Sequence, residues 1–145
     1  MAVSATREVV IEATPDEIVG VLTDAESLPE WSDVHQSCEV LDRDDEGRPV
    51  RTRMKVKTVG ITDEQVLDYT WHDDGLSWTL HSAKQQRAQN ARYTLIPEGD
   101  ATRVRFELTI DPLVPLPGFV IKRATKGVMS TATDGLRKRV LSRNS

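Results

Sequence analysis

Residues 5 to 13 (ATREVVIEA) alternate, with Val9, Ile11 and Ala13 on one side and Glu8, Val10 and Glu12 on the other, the period of two that a half-buried strand shows. Thr14 then precedes Pro15 and the acids Asp16 and Glu17. This is an N-cap, a proline at the first helical position and negative charge at the positive end of the helix dipole. A helix over 15–23 follows, apolar at Ile18, Val19 and Leu22. The polar stretch 24–33 predicts one helical turn around Leu28 to Trp31, which closes an end of the core.

From Val34 to Asp111 the chain alternates between turn signals at Asp44-Asp45-Glu46-Gly47, Gly60, Asp73-Asp74-Gly75 and Glu98-Gly99-Asp100. Six further strands fit, near 34–43, 49–59, 62–72, 76–84, 89–97 and 102–111. Their short connections predict hairpins and an antiparallel meander. Pro112, Pro115 and Pro117 end the pattern, and a continuous helix is predicted over 118–141, about 36 Å long at 1.5 Å per residue and so able to cross a curved sheet.

Parity assigns the dry face. Val50, Thr52, Met54 and Val56 oppose Arg51, Arg53, Lys55 and Lys57 on the third strand, which leaves no doubt about which side is inward. The same test turns inward Leu67, Tyr69 and Trp71, then Trp78 and Leu80, then Ala91, Tyr93 and Leu95, and finally Val104, Phe106, Leu108 and Ile110. A helical wheel gathers Ile121, Ala124, Thr125, Val128, Thr131, Ala132 and Gly135 on one stripe of the last helix, opposite Lys122, Lys126, Asp134 and Arg137. Large aromatics facing a stripe of mostly small residues mean either ridge-into-hole packing or unfilled volume.

The order of elements, together with the opening TPDEIVGVLTDAESLPEW and its spacing of Asp24, Pro29 and Trp31, resembles the START/Bet v 1-like (SRPBCC) superfamily, in particular its polyketide cyclase/dehydrase and coenzyme Q-binding branch. The resemblance covers nearly the whole chain. It implies an α+β helix-grip fold: a curved seven-stranded antiparallel sheet wrapped on a long C-terminal helix, with two short helices after the first strand. It also implies a ligand cavity between sheet and helix. On that basis the residues expected to line a ligand are Met54, Val56, Tyr69, Trp71, Trp78, Leu80, Tyr93, Phe106, Leu108, Ala124, Val128 and Thr131. The ligand is expected to be a hydrophobic small molecule: a lipid, a polyprenyl quinone or a polyketide. Fold alone does not fix chemistry, and the alternative reading is a polyketide aromatase/cyclase or dehydrase.

Composition narrows the choice. The 145 residues suit one domain spanning 1–145. A net charge of −4 argues against nucleic acid as a partner. Cys38 is the single cysteine and no cluster with metal-ligand spacing occurs, so neither a disulfide nor a metal or other cofactor is expected and a cytoplasmic location is. A cyclase needs a general acid or base near its substrate. The inward polar inventory is instead mostly neutral: Thr52, Thr58, Tyr69, Ser82, Gln89, Tyr93, Thr125 and Thr131. His81 points outward, and His35 and His72 lie at strand ends near the rim. No catalytic residue is assigned, and binding is favoured. Trp71 and Trp78 flank one turn on the same face, either to stack on a flat ligand or to pair across strands. Trp31 reads as a structural plug and Cys38 as a small buried hydrophobe, while Arg139 either reaches the mouth of the cavity or is solvated beyond the sheet.

The charge is unevenly placed. Residues 115–145 carry a local +6 and the rest of the chain −10. With the apolar loop Leu113 to Phe119, this basic helix predicts a transient contact with anionic membrane, against the plainer reading of a solvated helix and a packed hinge. Nothing in the sequence speaks to oligomeric state.

Overall fold

The computed structural model describes residues 2–143. β1 (Val3–Ile11) leads into α1 (Pro15–Thr23), where Thr14 Oγ1 accepts from the Glu17 amide at 3.2 Å and the Glu17 carboxylate accepts from the Thr14 amide at 3.0 Å. That reciprocal pair satisfies two otherwise unpaired donors and fixes where the helix starts. A 3-10 turn (Ala25–Ser27) and the short α2 (Leu28–Trp31) follow.

The remaining strands are β2 (His35–Arg43), β3 (Pro49–Thr58), β4 (Ile61–His72), β5 (Gly75–Ala83), β6 (Gln86–Glu98) and β7 (Ala101–Pro112). They form one seven-stranded sheet in the order β1-β7-β6-β5-β4-β3-β2. All neighbours are antiparallel, with β1 returning to lie beside β7. The chain ends in α3 (Gly118–Ser130), a π-helical turn (Thr131–Gly135) and α4 (Leu136–Arg143). The long helix is therefore present but interrupted, because side chains compete for its backbone carbonyls. Tyr93 Oη donates to the Ala132 carbonyl and Thr133 Oγ1 to the Met129 carbonyl, each at 2.8 Å, giving those oxygens partners outside the regular ladder.

Burial follows parity on β3, where Thr52, Met54 and Val56 are buried between exposed Arg53, Lys55 and Lys57. On β5 it fails after Leu80. Leu67 pairs with Leu80 but Val66 pairs with Ser82, so one extra residue bulges from β5 and reverses the faces beyond it. Ser82 is consequently exposed rather than inward, and Ala83 stands opposite Gln65. Gly75, with φ +151°, is required where β5 begins, since a Cβ there would run into the Tyr93 carbonyl.

The core has two parts. Ile11, Ile18, Leu76, Phe106, Leu136 and Val140 belong to the larger, and Val34, Met54, Val56 and Leu67 form the smaller. Tyr69 and Trp78 pack against both.

Candidate functional site

Between the concave sheet face and α3 lies a cavity of about 190 Å³. Ten of the twelve residues expected on a ligand line it: Met54, Val56, Tyr69, Trp78, Tyr93, Phe106, Leu108, Ala124, Val128 and Thr131. The small stripe of α3 therefore faces open volume. Opposite it, four rings make a continuous wall. Tyr69 stacks on Trp78 at 5.6 Å and 29°, Trp78 meets Phe106 at 5.8 Å, and Phe106 meets Tyr93 at 4.6 Å, the offset and tilted arrangements that aromatic quadrupoles favour.

Trp71 and Leu80 are not on the cavity wall. Trp71 pairs across the ladder with Leu76, not Trp78. Its indole N–H donates to the Pro49 carbonyl at 2.8 Å and its ring lies 5.8 Å from the Arg48 guanidinium carbon, so it is held at an end of the sheet. Leu80, just before the bulge, packs with the smaller core cluster. Trp31 packs against the larger cluster as a plug would and also lines the cavity, where its indole nitrogen is buried without an acceptor. Arg139 takes neither expected position: it pairs with Glu30 at 3.2 Å and ties α4 to α2.

Burial is the main cause that shifts four ionisable groups at or near the cavity. Burial pushes the Tyr69 and Tyr93 phenols above their ordinary range, and Tyr93 gives its proton to a backbone carbonyl. The Cys38 thiol is pushed up to about 12, by burial and then by the nearby charge of Glu26, which keeps it unreactive. His35 is not at an open rim but on the cavity wall, and burial lowers it to about 4. Ser32 Oγ accepts from the amides of Val34 and His35 at 3.2 and 3.1 Å and contacts His35 Nδ1 at 2.6 Å. The serine proton is thus directed to Nδ1, and the neutral ring carries its own on Nε2.

A buried carboxylate was missing from the inward inventory. Asp63 and Gln65 are each 5% exposed and line the cavity with Gln85, Gln86 and Gln89. Continuing the β4 parity two steps back from Leu67 reaches both. Both lie inside the strand predicted over 62–72, so the parity that turned Leu67 inward was the signal that could have found them.

The β3–β4 tip and the β7–α3 connection border the same end of the cavity, through Val59, Ile61, Pro112 and Leu116. Large apolar side chains stand in solvent there: Val59 41%, Leu113 43%, Val114 55% and Phe119 70% exposed. The C-terminal cations divide into two groups. Arg137, Arg139 and Arg143 pair with Glu12, Glu30 and Asp24, whereas Lys122, Arg123 and Lys126 on α3 and Lys138 on α4 are exposed. No helix among the described residues is long and apolar enough to cross a membrane.

A family model described as polyketide cyclase / dehydrase and lipid transport matches residues 2–141. Among solved structures, a START superfamily protein from Mycobacterium smegmatis is similar with TM-score 0.86 at 22% identity, over 96% of this chain and 97% of that one. The Zhui aromatase/cyclase from Streptomyces sp. R1128 is similar with TM-score 0.79 at 12% identity, over 100% and 97%. A STAR-related lipid transfer protein fragment from Xanthomonas axonopodis follows with TM-score 0.69 at 17% identity, over 94% and 85%. These likenesses bear out the helix-grip fold. No curated protein sequence matches closely enough to add to them.

Proposed function

Because the chain belongs to the polyketide cyclase / dehydrase and lipid transport family, we propose that it binds and carries an apolar small molecule held between the sheet and α3. One observation carries this reading: a volume walled by stacked aromatics on one side and by Ala124, Thr125, Val128 and Thr131 on the other. At about 190 Å³ it is somewhat larger than the ~150 Å³ apolar cavity that takes up benzene. Of lipid, polyprenyl quinone and polyketide, a compact ring system of the polyketide kind fits it with the least movement of α3.

What supports binding over cyclisation is the state of the polar groups. The Tyr93 proton is committed to Ala132, the His35 Nδ1 to Ser32, and the Asp63 oxygens to four N–H groups. Neither the Tyr93 hydroxyl nor the Asp63 carboxylate is poised to exchange a proton with a substrate. Titration with the neutral dye N-phenyl-1-naphthylamine tests the reading: fluorescence should rise on saturable binding, and Val128→Trp, which fills the cavity, should abolish the rise while the protein still melts cooperatively. A wild-type protein that leaves this dye and a broad panel of apolar compounds unbound overturns it.

A second observation supports contact between this end of the molecule and anionic lipid during loading. Val59, Leu113, Val114 and Phe119 expose apolar side chains and Lys122, Arg123 and Lys126 expose charge with no ion pair among the described residues, a combination of apolar surface and cations that suits anionic lipid. Sedimentation with vesicles should show binding to phosphatidylglycerol, weaker binding to phosphatidylcholine, and loss of both with Phe119→Ser. Equal recovery with and without vesicles counts against it.

A further inference from the structure

A group of polar side chains on the cavity wall surrounds one carboxylate, and their hydrogen bonds have a direction. Asp63 Oδ1 accepts from the backbone amides of Lys84 and Gln85, both at 2.9 Å. Its Oδ2 accepts from the side-chain amides of Gln65 at 3.3 Å and Gln86 at 3.1 Å. Four donors match the roughly four acceptor sites of an ionised carboxylate. No Lys, Arg or His forms an ion pair with Asp63 among the described residues, so its charge is held by N–H dipoles alone.

That arrangement fixes the orientation of both glutamines. With their NH2 groups spent on Asp63, their carbonyl oxygens turn away from it, and Gln86 Oε1 is buried with no partner. A buried acceptor left unmatched is unfavourable, and this one belongs to a residue that lines the cavity. The adjoining Gln89 presents its own carbonyl to the Trp78 indole N–H at 3.3 Å, which continues the wall towards the aromatic rings.

We propose that this part of the cavity is a head-group subsite, and that it selects an apolar ligand whose polar end is a hydroxyl or amine donor over one ending in a carboxylate or phosphate. The proposal rests on the ligand-binding reading above and adds to it the chemistry of the ligand's head. A donor gives Gln86 Oε1 its missing partner. An anion brings a second negative charge beside Asp63 with no cation to offset it. Asp63 acts as a positioning residue, since its carboxylate is saturated and it works by orienting the amides.

The test measures displacement of N-phenyl-1-naphthylamine by three compounds with one ring system and different heads: 2-naphthalenemethanol, which donates; 2-acetylnaphthalene, which only accepts; and 2-naphthoate, which is anionic. The alcohol should bind at least about tenfold more tightly than the naphthoate and more tightly than the ketone. Asp63→Asn is isosteric. Its Oδ1 can keep both backbone amides, while its NH2 group forces Gln65 and Gln86 to flip and turn their donors outward, so the preference should reverse towards the ketone and the naphthoate. If that variant does not fold, Gln86→Met removes the unpaired acceptor together with one of the four donors to Asp63 and should bring alcohol and ketone to equal affinity. Displacement by all three at equal affinity in the wild type overturns the head-group proposal and leaves the cavity reading standing, as does an unchanged ranking in the variants. Failure of the dye and all three compounds to bind overturns both.

Discussion

Tyr93 Oη donates to the backbone carbonyl of Ala132 at 2.8 Å, with both residues buried, and so joins the aromatic wall of the sheet to the π-helical turn of the last helix. In a regular α-helix the Leu136 amide would serve that carbonyl. Here it goes to the carbonyls of Thr131 and Thr133, and the tyrosine supplies a donor from across the core. The helix and sheet are thereby held at a fixed separation beside the cavity, with the volume next to Val128 and Thr131 kept open.

Removing that donor should cost stability without touching the aromatic packing. Tyr93→Phe leaves a carbonyl without its cross-core partner and is expected to lower the unfolding free energy by about 1–3 kcal/mol. Urea denaturation checks the magnitude, and amide exchange in residues 131–136 should quicken more than elsewhere. Unchanged stability would mean that the π turn is held by the helix alone.

His35 makes stability depend on pH. Its folded value of about 4 lies below the ordinary 6.5, so as pH falls the unfolded chain takes up the proton first. The contribution is fully present above about pH 6.5 and is lost progressively as pH falls towards 4, amounting to about 3 kcal/mol across the window. Urea midpoints at pH 7 and pH 4.5 should differ in that sense, and His35→Gln should flatten the difference. A slope that survives the substitution belongs to other groups.

The fold was legible because each element announces itself locally: the Thr14 cap, the Arg51-to-Lys57 alternation, the turn residues at 44–47, 73–75 and 98–100. The cavity wall was legible for the same reason, since inward parity and burial coincide wherever a ladder is regular. Ser82 broke the rule because a bulge is a property of two paired strands and has no signature in one of them. Trp71 kept its parity, yet the Pro49 carbonyl captured its indole, a tertiary contact 22 residues away in sequence. Asp63 went unread because a carboxylate on an inward row is unfavourable until its four N–H partners are known, and two of those come from the β5–β6 turn. The π turn was hidden likewise, because the Tyr93 hydroxyl that stabilises it lies 39 residues upstream.

Gly75 is the position where the sheet tolerates least change. Its φ of +151° and the nearness of the Tyr93 carbonyl exclude a Cβ. Gly75→Ala therefore combines backbone strain of about 1–3 kcal/mol with displacement of β6, the strand that carries Tyr93. The expected result is a loss of at least about 2 kcal/mol in denaturant unfolding, together with weakened dye binding. Alanine tolerated at full stability would show that the start of β5 relaxes away from β6.

Val59 links stability to the membrane reading. The β3–β4 loop is a two-residue hairpin between the paired Thr58 and Ile61, with φ +43° at Val59 and +82° at Gly60. Positive φ at both central positions is the type I′ geometry that Asn-Gly serves best. A β-branched residue in the left-handed region is strained by roughly 1–2 kcal/mol. The strained side chain is also an exposed apolar one at the mouth of the cavity. Val59→Asn should therefore raise stability by about 1 kcal/mol and the melting temperature by about 2–4 °C, while reducing recovery on phosphatidylglycerol vesicles. The two readouts separate the claims. A melting temperature that does not rise means that the hairpin stores no strain at Val59, and undiminished vesicle binding means that this side chain takes no part in the lipid contact.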